Sequence, residues 1–109
     1  MAVHEITTLE QINRYLLSKD IVVIDFYASW CNPCKTVAPQ FKKLASEFPS
    51  VAFLKIDIDE AHEKVMSTYF LETEEVSIPF FVIFNKGKIT RLSGFDSKTT
   101  MDAIKKAMM

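Results

Sequence analysis

Glycine is scarce in this chain: Gly87 and Gly94 are the only two among 109 residues. A phosphate-cradling loop of the Gly-x-Gly-x-x-Gly kind needs more, so a nucleotide fingerprint is excluded and no cofactor is expected. Histidine is equally sparse. His4 and His62 have no compact spacing with the cysteines, so a four-ligand zinc centre is not expected and both read as surface residues. No sign of charge dominates, because 13 basic and 14 acidic residues leave a net charge of −1. That balance argues against nucleic acid or anionic lipid as the main partner. No apolar run approaches the roughly 20 residues that span a bilayer. Met1-Ala2-Val3-His4-Glu5 has neither the cationic region nor the apolar run of a secretory signal, so the cytoplasm is the expected compartment. Repeats, low-complexity tracts and Gly/Ser linkers are absent, and the length suits one domain over residues 1–109. Two cysteines are too few for a disulfide scaffold, and a bridge between Cys31 and Cys34 constrains the unfolded chain little.

What is present is ordinary in bulk: 49% apolar and 25% charged residues, the balance of a soluble globular domain. Thr8-x-x-Gln11 has the form of a capping box, and Leu9, Ile12 and Leu16 then share a helical face. Ile21–Tyr27 is nearly all apolar and reads as a strand covered on both faces. From Cys31 to Phe48 the period becomes helical, with Val37, Phe41, Leu44, Ala45 and Phe48 on one stripe and Pro39 predicting a kink within it. A strand is expected over Val51–Ile58, then a helix from Glu60 to about Leu71 with Val65 and Met66 in the core. Phe80–Phe84 reads as a buried strand that turns through Asn85-Lys86-Gly87-Lys88 into Ile89–Leu92. Met101, Ile104 and Met108 mark a closing amphipathic helix, whereas Lys42-Lys43 and Lys105-Lys106 read as solvated faces. The order βαβαβ followed by ββα predicts an α/β protein with a mixed sheet covered on both faces.

The chemistry concentrates in Trp30-Cys31-Asn32-Pro33-Cys34-Lys35, where a buried strand turns into a helix. Cys31 then occupies the helix N-terminus, where free N–H groups and the helix dipole favour a thiolate. Cys34, one turn in, points toward the protein. This spacing predicts attack by Cys31 on a substrate disulfide, then attack by Cys34 on the mixed disulfide, leaving Cys31–Cys34 oxidised. Pro33 has no N–H to satisfy and stiffens the first turn. Asp25 is the second anomaly, a carboxylate inside an apolar strand. Either burial raises its pKa and makes it a proton acceptor for the inner thiol, or it emerges into solvent at a sheet edge. Its closeness to the cysteines favours the first. Lys55, on the next strand, either steadies the Asp25 charge or is a solvated strand residue. Pro79 lacks a ladder donor and belongs at a strand entry. With cis forms in only about 5–6% of X-Pro bonds, the residues alone do not predict a cis Ile78-Pro79 bond.

Taken in order, these elements resemble the thioredoxin family over nearly the whole length. The resemblance rests on Asp25-Phe26-Tyr27-Ala28-Ser29-Trp30-Cys31-Asn32-Pro33-Cys34-Lys35, Pro39, Lys55-Ile56-Asp57, Ile78-Pro79 and Ser93-Gly94. It implies the thioredoxin fold, a central mixed five-stranded sheet flanked by four helices. It implies Cys31 as nucleophile, Cys34 as resolving thiol, Asp25 as proton relay with Lys55 beside it, and cis-Pro79. Trp30, Pro79 and the backbone of Ile78 would border a substrate groove with Gly94 alongside, and cis-Pro79 would leave Ile78 free to pair with an extended substrate segment. The implied partners are disulfide-containing protein substrates and a recycling reductase of the thioredoxin-reductase type, with the chain acting as a monomer that carries electrons between them.

Three departures bear on this. Asn32 replaces the usual glycine of the inter-cysteine dipeptide, which tunes potentials across roughly −270 to −120 mV in this fold. Phe80 stands where a small polar residue commonly follows the proline, and Tyr69–Val76, with its acidic cluster, is longer than the usual approach to it. The expected function is reduction of protein disulfides. The alternatives are a disulfide oxidase or isomerase of the same fold, prompted by Asn32, or a redox-inert binding module using the groove and Glu72–Glu75.

Overall fold

Strand formation follows the apolar and β-branched runs, and helix formation follows the capped, 3.6-period stretches. The computed structural model describes residues 3–69, 77–93 and 97–109. Among these, the elements in order are β1 (His4–Glu5), α1 (Leu9–Ser18), β2 (Ile21–Tyr27), α2 (Asn32–Glu47), β3 (Ala52–Asp57), α3 (Glu63–Tyr69), β4 (Phe80–Asn85), β5 (Lys88–Ser93) and α4 (Ser97–Met108). The five strands form one mixed sheet in the order β1-β3-β2-β4-β5. β1 and β2 run parallel to β3, whereas β4 is antiparallel to both β2 and β5. This is the expected thioredoxin architecture, with five strands and four helices.

Two hydrophobic layers sandwich the sheet. Because side chains alternate along a strand, Val22, Ile24 and Phe26 face one layer with Ile12 of α1 and Val65 of α3. Val23 faces the other, with Val37, Phe41 and Leu44 of α2 and Ile104 of α4. Phe41 packs edge-on against Phe53, at 5.4 Å between ring centroids. Phe80 packs inward against Phe26, so the bulky residue after the proline fills core rather than groove. Val65 is fully buried but Met66 only half-buried, and Lys105 is half-buried beside the exposed Lys106.

The local signals hold at most boundaries. Thr8 Oγ1 accepts from the Gln11 N–H while the Gln11 side chain accepts from the Thr8 N–H, completing the capping box. Cys31 and Phe48 cap α2 at its two ends, and Pro39 lies inside that helix without terminating it. The hairpin turns at Lys86 and Gly87, both with positive φ (50° and 88°), the backbone a two-residue turn of this hand requires. A Cβ on Gly87 would meet nothing within 4 Å, so its role is conformational, not spatial.

One boundary needs correction. Helix α3 begins at Glu63, not Glu60, because the Asp57 carbonyl accepts from both Glu60 and Ala61 N–H while Asp57 Oδ1 accepts from Asp59 N–H. These bonds close a tight turn over residues 57–61, and α3 starts only after it. The helix runs to Tyr69, where the described segment ends, and the expected end near Leu71 lies outside the described residues. Gly94 and the acidic cluster Glu72–Glu75 lie outside the described residues. No helix among the described residues is long and apolar enough to cross a membrane.

Candidate active site

β2 delivers its last residues to the sheet end where α2 begins. Past Tyr27 the chain turns at Ala28, whose carbonyl accepts from the Cys31 N–H at 3.1 Å, and Cys31 then caps α2. Its sulfur fills the place an N-cap oxygen usually takes, accepting from the Cys34 N–H at 3.2 Å. Pro33 sits in the first turn, where its missing N–H leaves no donor stranded. Cys31 and Cys34 are disulfide-bonded, with 5.3 Å between their Cα atoms. In the dithiol form the same N–H and the helix dipole stabilise negative charge on Cys31.

Burial does not separate the two sulfurs, since Cys31 is 4% exposed and Cys34 3%. Their surroundings do. Cys31 Sγ lies 3.8 Å from the Ile78 carbonyl oxygen, on the side where the cis Ile78-Pro79 bond leads into β4. Cys34 instead lines a partly open pocket of about 160 Å³ together with Asp25, Tyr27, Lys35 and Lys55. Trp30, 64% exposed, flanks the cysteines and donates from Nε1 to Asp59 Oδ2 at 2.8 Å. The side chain of Asn32 is exposed, while its carbonyl accepts from Thr36 Oγ1.

Asp25 is 4% exposed, and its Oδ1 has no hydrogen-bond partner. The solvent-edge alternative for this residue is therefore wrong: β2 lies in the middle of the sheet. Burial pushes its pKa up to about 7, partly countered by the nearby Lys55 ammonium and reinforced by the charge of Glu5. Lys55 stands directly opposite Asp25 on β3, but its ion pair is with Glu5, at 3.9 Å. Tyr27 donates a 2.6 Å hydrogen bond to the same Glu5 oxygen, and its ring lies 5.8 Å from Lys55 Nζ. Burial and that hydrogen bond to Glu5 push the Tyr27 pKa up, keeping the hydroxyl a donor.

The structure thus brings together Cys31, Cys34, Asp25, Lys55, Trp30, Ile78 and Pro79. Glu5 and Tyr27 are additions. Tyr27 is legible in hindsight, two residues beyond Asp25 and so on the same strand face. Nothing in the pattern marks Glu5, which sits on a two-residue strand with no apolar alternation. No group of three or more potential metal ligands occurs among the described residues. His4 stacks on Tyr15, and His62 Nδ1 accepts from the Lys64 N–H.

Comparison with known proteins agrees with the geometry. The thioredoxin family profile matches residues 3–109. A thioredoxin of Mycoplasma genitalium is 37% identical over 98 residues, covering 89% of this chain and 91% of that protein. The crystal structure of Fasciola hepatica thioredoxin superposes with a TM-score of 0.82 at 30% identity, covering 96% of this chain and 99% of the other. Oxidised mitochondrial thioredoxin 3 of Saccharomyces cerevisiae gives 0.80 at 30% identity, with 95% and 94% covered. A helix that presents one sulfur at its cap and holds a second over a buried acid suits dithiol exchange, and with these matches the chain belongs to the thioredoxin family, as a thiol–disulfide oxidoreductase that reduces protein disulfides.

Proposed function

We propose that Cys31 is the attacking thiolate, Cys34 the resolving thiol and Asp25 the acceptor of the Cys34 proton. The reading rests above all on the Cys34 N–H that points at Cys31 Sγ from 3.2 Å, because it favours charge on that sulfur alone. Cys31 sulfur attacks one sulfur of a substrate disulfide, the substrate S–S bond breaks, and its second sulfur leaves as a thiolate that takes a proton from water. Asp25 takes the Cys34 proton across their shared cavity. Cys34 sulfur then attacks Cys31 Sγ, the mixed disulfide breaks, and the substrate leaves fully reduced while the Cys31–Cys34 bond forms. Lys55 supports the Asp25 carboxylate once it forms. An extended substrate segment runs past Trp30 and pairs with the Ile78 backbone beside Pro79.

The oxidised pair needs a dithiol reductase to return two electrons, which makes a reductase of the thioredoxin-reductase type the recycling partner. A reducing compartment such as the cytoplasm keeps the pair in the dithiol form, and the chain acts there as a single-domain monomer. The test is capture. Cys34→Ser protein mixed with a disulfide-linked protein should accumulate a mixed disulfide on Cys31, located by peptide mass. Adduct accumulating on Cys34 of a Cys31→Ser protein at an equal rate would remove the assignment, and at a faster rate would reverse the roles. Equilibration against dithiothreitol and glutathione buffers should place the pair near about −270 mV, whereas a value nearer about −150 mV would turn the direction toward oxidation or isomerisation.

A further inference from the structure

Residues directly opposed on neighbouring strands project from the same face of a sheet. The β1–β3 register opposes Glu5 to Lys55, and the β3–β2 register opposes Lys55 to Asp25. A single row therefore runs acid, base, acid from the edge strand into the core. At its outer end Glu5 Oε1 holds the Lys55 ammonium at 3.9 Å and the Tyr27 hydroxyl at 2.6 Å. At its inner end Asp25 Oδ1 has no hydrogen-bond partner. The one cation on the row is thus paired with the outer carboxylate, and its charge only partly offsets the burial of the inner one.

We propose that Glu5 is a positioning residue for disulfide reduction: by holding Lys55 and Tyr27 at the outer end of this row, it sets the pH at which Asp25 takes the Cys34 proton. The proposal rests on the reading of Asp25 as proton acceptor. Other titratable groups face Asp25 as well: Cys34, Lys35 and Lys42 of α2 line the cavities beside it, and Tyr27 follows it on β2 with Asp57 opposite. Lys35 and Lys42 are exposed and solvated, whereas Glu5 acts through the strand row itself. After burial, Lys55 lowers and Glu5 raises the proton affinity of Asp25, which is the sign the proposal needs.

The experiment follows the Asp25 carboxyl carbon by ¹³C NMR through a pH titration of the oxidised protein, in which neither cysteine titrates. Glu5→Gln keeps an acceptor for Tyr27 and removes the charge, and Glu5→Lys inverts it. The Asp25 midpoint should fall by on the order of half a pH unit in Glu5→Gln and further in Glu5→Lys. The pH profile of single-turnover disulfide reduction should move with it. A lost structural contact would not order the two variants by charge. Midpoints that stay put in both variants, or move without following the charge, overturn the proposal. The reading beneath it is tested apart, by Asp25→Asn: an unchanged rate profile there would remove Asp25 from the reaction, while the NMR midpoint would still report whether Glu5 governs its titration.

Discussion

The two faces of β2 share one backbone and carry opposite duties. Val22, Ile24 and Phe26 look toward α1 and α3, and all three are wholly apolar and buried. On the reverse face Val23 is buried to the same degree, but the next two residues there are Asp25 and Tyr27. Burial does not distinguish the faces, since Asp25 is almost as hidden as Ile24. What differs is the company across the strands. Ile24 stands between Leu54 and Val82, whereas Asp25 stands between Lys55 and Phe81 and borders a cavity shared with Cys34. A core position becomes chemical here because a polar row reaches it from the edge strand and a pocket shared with Cys34 reaches it from α2.

That contrast predicts substitutions of opposite sign one residue apart. Asp25→Asn should stabilise the protein at neutral pH and above. The native carboxyl holds its proton up to about pH 7, whereas the unfolded one releases it near 3.8. The native state therefore binds more protons between these values, and wild-type stability falls as pH rises through that window. At ~1.4 kcal/mol per unit, the shift amounts to as much as about 4 kcal/mol above pH 7, and to nothing below about pH 3.8. Urea unfolding of both proteins at pH 4 and pH 8 reads the difference, and equal stabilities at pH 8 would contradict it. The same variant should reduce disulfides about a hundredfold more slowly at pH 7, for want of a base beside Cys34.

Ile24→Ala should do the reverse, costing about 3 kcal/mol in urea unfolding by opening a cavity among Phe26, Leu54 and Val82. Its Asp25 titration should stay where it is, because Ile24 points to the other layer. A shifted Asp25 midpoint in this variant would mean that the two faces are not independent.

Much of this was legible in the residues. Ile21–Tyr27 announced its burial by composition, and the change of period at Cys31 placed the cysteines at a helix start. Asp25 stood out as a charge inside an apolar run, but its depth did not. Only the strand order, with β2 in the middle, excludes the solvent edge. The start of α3 is not legible, because the Asp57 carbonyl and carboxylate close a turn after β3 that helical periodicity does not register. Glu5 was invisible for another reason. Two residues are too short to show alternation, and its importance lies in a register with β3 that pairs residues 50 positions apart. The cis bond before Pro79 came from likeness to the family, not from the residues themselves.

The mildest substitution bears on the row that makes the two faces differ. Lys55→Met removes the one group that lowers the Asp25 pKa and leaves burial and Glu5, both of which raise it. The Asp25 midpoint should therefore move above about 7, opposite in direction to the Glu5→Gln shift. Native stability should change by less than about 1 kcal/mol, because the Lys55–Glu5 pair is 44% and 45% exposed and such pairs contribute little. The rate profile of disulfide reduction should shift toward alkaline pH by the same interval as the NMR midpoint. A midpoint that instead falls on losing Lys55 would mean that its aliphatic stem, by keeping water from the cavity, matters more to Asp25 than its charge does.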